Sequence, residues 1–222
     1  MTMREWWLVV RYTIAVLRDS RRTTKIHRVA EITSRGRFTA LLQDLRAHGR
    51  EPDMLAKRPQ LTPPHVDIQL LRTLPAETLG GAYARHLDAH RLEMFLDDTP
   101  ADHVDDPDVR YLIRRYRQVH DIWHVLLGLG TRGHEEVLVH AFVLGHLRLP
   151  ISALVVLFGS VKHMVLEARW AALRHALREA YDSGRQAEPL LLVQWEDLWD
   201  EPIDALRRRY RIQPSTPAWV EG

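Results

Sequence analysis

The chain contains no cysteine. This absence removes a disulfide framework, a thiolate zinc site and a cysteine nucleophile, and it fits a reducing compartment. Any bound metal must therefore be held by nitrogen and oxygen donors. Long hydrophobic runs are missing as well. The most apolar stretches, residues 6–17 and 151–161, fall short of the ~20 residues a helix needs to cross a bilayer, and Arg11 interrupts the first. The N-terminus shows neither a signal-peptide cleavage pattern nor the Ser-rich, acid-poor character of a transit peptide. The expected location is the cytoplasm, with contact at the inner face of a membrane. Strict polar–apolar alternation is scarce and no Asn-Gly hairpin signal occurs, which counts against a β fold. Zinc-finger spacing and basic runs interleaved with aromatics are also absent, which counts against nucleic acid as a partner. There is no internal repeat and no low-complexity segment.

What is present is the composition of an ordinary globular chain: 222 residues, 45% hydrophobic and 27% charged, with 13 His. The net charge is only +2, but it is unevenly spread: residues 4–28 carry seven basic side chains against Glu5 and Asp19. That segment reads as a solvated helix face, or as a basic apolar segment lying on an anionic membrane surface. Elsewhere Pro and Gly separate helical periodicities, and the expected fold is a single all-α domain over residues 1–222, a helical bundle. Residues 6–17 read as an apolar helix. Thr24 is a candidate cap for a second helix ending at Gly36, and Phe38, Leu41, Leu42 and Leu45 mark a third. Pro52, Pro59, Pro63 and Pro64 mark an irregular connector. Pro75 is placed as the first residue of a helix through Tyr83 and Leu87. Gly80 and Gly81 inside it imply a close approach by backbone or ligand, or a later start. Asp106-Pro107 is a strong helix start, and that helix breaks at residues 128–133. Another follows to about Leu147, ended by Pro150. Residues 151–181 form the longest apolar-periodic region, with a bend at Gly159 and with Gly184 beyond it. Residues 195–210 suit one or two short helices around Pro202.

The candidate chemistry lies at the Gly-rich break. His120 and His124 are four apart and project from one helix face, with Asp121 at its edge. Roughly one His pair at that spacing is expected by chance. His86 and His90 form such a pair without a carboxylate in a comparable arrangement, and they read as solvated. The pair at 120 and 124 has more around it. If residues 128–133 fold the chain into a helical hairpin, His124 and Glu136 lie at similar height on opposite arms. Two imidazoles and two carboxylates suit zinc, manganese, iron or cobalt, and less well magnesium. The same groups could instead hydrogen-bond one another as a polar seam. His140, one turn beyond Glu136, could reach the site as an outer partner or extra ligand. Glu135 and Glu136 could exchange roles, since spacing does not fix the helix phase to one residue; His134 and Glu135 read as turn residues facing solvent.

These residues also carry a resemblance. His120-Asp121-Ile122-Trp123-His124, eleven residues and then Glu136 resembles the metal motif of the coenzyme Q (ubiquinone) biosynthesis protein 4 family. Arg115-Tyr116-Arg117 precedes it. Leu74-Pro75, Thr78-Leu79-Gly80 and Tyr83 lie upstream, and Leu149-Pro150, Phe158-Gly159, Trp195-Glu196, Pro202 and Leu206-Arg207 lie downstream. The likeness runs from about Phe38 to Pro217. It implies an all-helical fold in which His120, Asp121, His124 and Glu136 hold a divalent metal, zinc first. It also implies binding of a polyprenyl quinone precursor or isoprenoid lipid, association with a membrane surface and other quinone-biosynthesis proteins, and a second copy of the chain as a candidate partner. The implied activity is oxidative decarboxylation at ring C1 of a prenylated benzoquinone precursor; a non-catalytic, lipid-binding organiser is the alternative. Three positions depart from the family pattern: Gln118 where an acid is usual, His140 where Lys is common and Val143 where Glu is common. A phosphohydrolase built on the His-Asp pair is a third reading. It would need a further upstream His and downstream Asp, for which His65, His86 and Asp182 are available and unremarkable, and it leaves Glu136 without a role.

Overall fold

The computed structural model describes residues 23–47, 53–94, 104–167 and 170–215, together with Met3, Trp7, Leu8 and Arg11. Among the described residues there is no strand, and nine α-helices follow in order: α1 (Thr23–Ala47), α2 (Asp53–Lys57), α3 (Ile68–Thr73), α4 (Leu79–His90), α5 (Pro107–Leu127), α6 (Gly133–Leu147), α7 (Pro150–Glu167), α8 (Trp170–Gln186) and α9 (Ile203–Arg209). The fold is all-α, as expected. Met3, Trp7, Leu8 and Arg11 are helical; the rest of the helix expected over residues 6–17 lies outside the described residues. Two compact units are assembled from interleaved segments. One takes Met1–Arg58, Asp97–Arg114 and Leu149–Ile151; the other takes Pro59–Leu96, Arg115–Arg148 and Ser152–Gly222.

In the first unit, α1 corrects the expected pair of helices divided at Gly36. It is one helix of 25 residues. The buried positions Glu31, Ser34, Phe38, Leu42 and Leu45 step by three or four along one face, straight across the glycine. A single helical Gly costs about 1 kcal/mol, less than a turn's worth of apolar burial, so the helix continues. The start of α5 is as the sequence indicates. Asp106 Oδ1 accepts from the N–H groups of Asp108 (2.8 Å) and Val109 (3.3 Å), and Pro107 needs no donor partner there. The carboxylate of Asp108 in turn receives Arg46 (2.7 Å) and Arg58.

The second unit holds every candidate donor. Its connector is wrapped onto α5: Leu61 is buried, and its N–H donates to Gln118 Oε1 at 3.3 Å. Helix α4 begins at Leu79 rather than Pro75. Thr78 caps it by accepting from Gly81 N–H at 3.2 Å, while the N–H groups of Leu79 and Gly80 donate to Glu201 and Trp199 carbonyls at 2.9 Å each. Backbone approach explains the two glycines, because a Cβ on Gly81 would lie 2.0 Å from Pro75 O. Pro150 opens α7 instead of ending α6. The ending is made by Arg148, whose left-handed φ of 56° lets its N–H reach Leu144 O at 3.1 Å. The apolar region expected over residues 151–181 is divided between α7 and α8, and α7 continues through Gly159. Gly184 lies inside α8, where its missing Cβ would meet Phe142 O at 2.1 Å; reciprocally, a Cβ on Gly145 would meet Tyr181 O at 2.1 Å. Helices α6 and α8 therefore touch backbone to backbone.

Candidate metal centre

Helix α6 is apolar nearly all round. Val137, Leu138, Val139, Ala141, Phe142, Val143 and Leu147 are all buried. A helix of this kind sits inside the fold, so polar side chains on it need partners. Glu136 and His140 are such side chains, and α5 supplies the groups facing them.

The turn between α5 and α6 sets their register. Gly128 adopts φ +71°, and Leu129 N–H closes back on His124 O at 2.9 Å. Glu135 then folds its carboxylate over the turn, accepting from the N–H groups of Gly130 and Arg132 at 2.9 Å each. This corrects its reading as a solvent-facing turn residue. With Glu135 occupied in this way, Glu136 is the carboxylate that faces α5. One of its oxygens lies 3.6 Å from His120 Nε2 and the other 3.5 Å from His124 Nε2. The two Nε2 atoms are 3.2 Å apart. One donor atom from each of His120, His124 and Glu136 falls within 4.8 Å of the others.

The tautomer of His124 follows from its second nitrogen. Nδ1 lies 2.9 Å from Gly130 O, and a carbonyl can only accept, so Nδ1 carries the proton. In the neutral ring Nε2 is then a lone pair aimed at the common point, the form a metal requires. Two imidazole nitrogens and one carboxylate oxygen, with positions to spare, make a donor set that fits a divalent ion. Asp121 is not among the three. Its carboxyl is pushed up by burial, against the pull of the His120 and His124 charges. Burial would also raise Glu136, but hydrogen bonding to His120 and His124 overrides it and holds that carboxyl well below the usual range. For His124 burial acts downward, and the Glu136 partner reverses this, so its pKa is raised.

Around the three donors stands a wall of further polar groups. His140 has its ring 5.6 Å from that of His120, and its Nδ1 lies 3.1 Å from Ser152 Oγ; burial, with the His120 charge, pushes it down to about 3. Tyr116 also bonds Ser152, and its phenol is pushed up by burial. The pair read as solvated, His86 and His90, is not. The His86 ring lies 5.5 Å from His124 and 4.8 Å from His90, both residues are partly buried, and burial with the His124 and His90 charges holds His86 at about 4. Spacing gave no sign of this, because the approach of α4 to α5 is a tertiary contact. Of the departures, Gln118 holds the connector through Leu61, and Val143 is buried on the α6 face that carries Glu136 and His140. Of the further groups a phosphohydrolase would need, His86 lies beside His124, but His65 is exposed and paired with Thr62, and Asp182 faces Arg178.

Two arginines fasten α5 to the C-terminal segment. Arg115, with no exposed side-chain surface, donates to both carboxylate oxygens of Glu196 and to Val193 O at 2.7 Å. Arg207 Nε donates to Leu126 O at 2.8 Å, satisfying a carbonyl at the end of α5.

The chain is similar to known proteins. The profile of the family described as coenzyme Q (ubiquinone) biosynthesis protein Coq4 matches residues 1–216. The chain belongs to this family. Among its curated members, the mitochondrial ubiquinone biosynthesis protein COQ4 homologue of Drosophila ananassae is 31% identical over 205 residues, 90% of this chain and 74% of that one. The Bos taurus homologue is 31% identical over 208 residues, 93% of this chain and 77% of its own. A crystal structure of a protein from Nostoc punctiforme, 24% identical, superposes with a TM-score of 0.73 over 93% of this chain and 95% of that one, which shows the same fold. Membership in the Coq4 family places the chain in ubiquinone biosynthesis.

Proposed function

We propose that this protein binds a divalent metal, zinc first, through His120, Asp121, His124 and Glu136, and that it carries out oxidative decarboxylation of a prenylated, 4-hydroxybenzoate-derived quinone precursor. The observation that carries this reading is the convergence of one donor atom each from His120, His124 and Glu136 within 4.8 Å. The ring C1 carboxylate leaves as carbon dioxide and a hydroxyl takes its place. This is a net two-electron oxidation, so an external oxidant is a required co-reactant. A bound divalent ion supplies Lewis acidity toward a carboxylate or phenolate oxygen. Gly130 O keeps a proton on His124 Nδ1, so that Nε2 is the nitrogen left for the ion, and Glu136 stays ionised beside it. Tyr116 and Ser152, both buried, exclude water on the His140 side. A prenyl tail would add about 0.8 kcal/mol for each CH2 buried against apolar side chains. We place the chain in the cytoplasm, peripheral to the inner face of a membrane; no helix among the described residues is long and apolar enough to cross one.

The test is incubation of the metal-loaded protein with a prenylated 4-hydroxybenzoate-derived acid under air, following carbon dioxide release and the hydroxylated product by mass spectrometry. Product that disappears in H120A is expected. No product with zinc, manganese, iron, cobalt or magnesium sinks the reading. The organiser role has one observation in its favour: Leu157, Phe158 and Val161 lie exposed along α7, an apolar surface suited to a lipid or a partner protein. Unchanged ubiquinone synthesis in cells carrying metal-free H120A would decide for that role.

A further inference from the structure

The histidines of the second unit differ in how their nitrogens are used. His146 has both engaged: Nδ1 lies 3.3 Å from Gly184 O, and Nε2 accepts from Leu190 N–H at 3.2 Å. His124 has Nδ1 on Gly130 O and Nε2 in the donor cluster. His140 has Nδ1 against Ser152. His86 differs from these three. Its Nε2 is buried and makes no hydrogen bond to any described residue. A polar nitrogen in that condition is costly, and a phenylalanine would fill the space without the cost.

The surroundings keep this ring still and close to the cluster. One turn earlier on α4, the buried Tyr83 stacks on Trp199 at 5.6 Å. One turn later, His90 packs against the α5–α6 turn, where a Cβ on Gly130 would lie 3.0 Å from its Cε1. Between them His86 lies against His124, ring centres 5.5 Å apart. It is nevertheless outside the group whose donor atoms lie within 4.8 Å. A residue one step beyond the donors is placed to bond what the donors hold rather than to be a donor itself.

We propose that His86 is a ligand-contact residue of this site, its Nε2–H donating a hydrogen bond to a carboxylate oxygen of an aromatic acid held at the His120–His124–Glu136 cluster. The inference rests on the metal reading above and deepens it, because it assigns the recognition of the acid group to a side chain outside the sequence motif.

Cobalt(II) serves as the spectroscopic metal and 4-hydroxybenzoate as the ligand probe, with wild type, H86F and H86Q compared by visible absorption. Cobalt affinity is expected to stay within about threefold in all three, since His86 Nε2 holds none of the three donors in place, whereas loss of a partner that does costs about 10–100-fold. 4-Hydroxybenzoate is expected to shift the cobalt bands in the wild type. Its Kd should rise by about tenfold or more in H86F, the loss of one hydrogen bond to a charged group. H86Q, which keeps an N–H donor, should recover most of it. Should H86F fail to fold, H86N, with a donor too short to reach, takes its place and should show the same weakening. Equal 4-hydroxybenzoate affinity in wild type and H86F overturns the proposal. So does a wild-type spectrum that does not respond to the acid, or a tenfold loss of cobalt affinity in H86F, which would make His86 a support of the metal. Wild-type protein that takes up no cobalt refutes the metal reading itself, and this inference falls with it.

Discussion

Replacement of Gly184 by alanine tests the backbone contact between α6 and α8. An alanine Cβ at this position would lie 2.1 Å from Phe142 O, a backbone atom that no rotamer change can move. An ordinary carbon–oxygen contact needs ~3.3 Å, so the two helices must separate by about 1 Å. Overpacking of this kind costs about 1–3 kcal/mol, against roughly 1 kcal/mol that alanine returns through helix propensity. The contact also recurs: Gly145 meets Tyr181 O at the same 2.1 Å, so the separation would loosen the well-packed apolar face of α6 along its length. The net expectation is a loss of about 2 kcal/mol.

Gly36 supplies the control of opposite sign. It is exposed in the middle of α1, and a Cβ there would find nothing within 4 Å. Alanine at position 36 should therefore stabilise by about 0.5–1 kcal/mol. Urea unfolding followed by far-UV circular dichroism reads both changes. A further signature separates helix displacement from local strain. Once G184A has moved the helices apart, G145A should cost much less than it does alone, so the double variant should be markedly sub-additive. Stability of G184A equal to wild type, or strict additivity of the pair, would refute the close-packing argument.

Three other outcomes follow from the geometry. R115A leaves Glu196 unpaired at a largely buried site and should cost about 3–5 kcal/mol in urea unfolding, with R115K recovering only part because it cannot bind both oxygens. Burial holds His146 at about 4, below the unfolded value of about 6.5. The contribution of that depressed pKa is complete above pH 6.5 and is lost as the pH falls toward 4. It amounts to on the order of 3 kcal/mol, which a pH series of unfolding midpoints should show in the wild type and show reduced in H146F. On the metal reading proposed above, E135A should lose about 1 kcal/mol by uncapping the turn yet still bind metal, whereas E136A should not; elemental analysis of the two purified variants distinguishes them, and the reverse pattern would exchange the two roles.

The helix order was readable because each break has a local chemical cause. Asp106-Pro107 begins α5 and Gly128 ends it, and both features act through the chain's own backbone. The errors fall where a local signal meets a tertiary one. Gly36 is a stop signal in the sequence, but burial of Phe38, Leu42 and Leu45 carries α1 past it. Pro150 looks like an end in the sequence and is a first residue, because proline suits either side of a boundary and only the neighbouring φ of Arg148 decides which. The choice between Glu135 and Glu136 was open for a similar reason: adjacent residues on a helix point about 100° apart, and the carboxylate that closes the turn leaves the other for the site.

His86 marks the limit of that kind of reading, and the reason lies in the C-terminal segment. The roll of α4 about its axis is not set by its own sequence. It is set where Leu79 and Gly80 donate to the carbonyls of Glu201 and Trp199, and where Tyr83 stacks on the Trp199 ring. The same segment holds α5 through Glu196 on Arg115 and Arg207 on Leu126. Residues 195–207 contribute none of the three clustered donors, yet they orient α5, which carries His120 and His124, and α4, which sets His86 beside them. The role of this segment is thus geometric: its contacts fix which faces of α4 and α5 look at one another, and so which imidazoles come together.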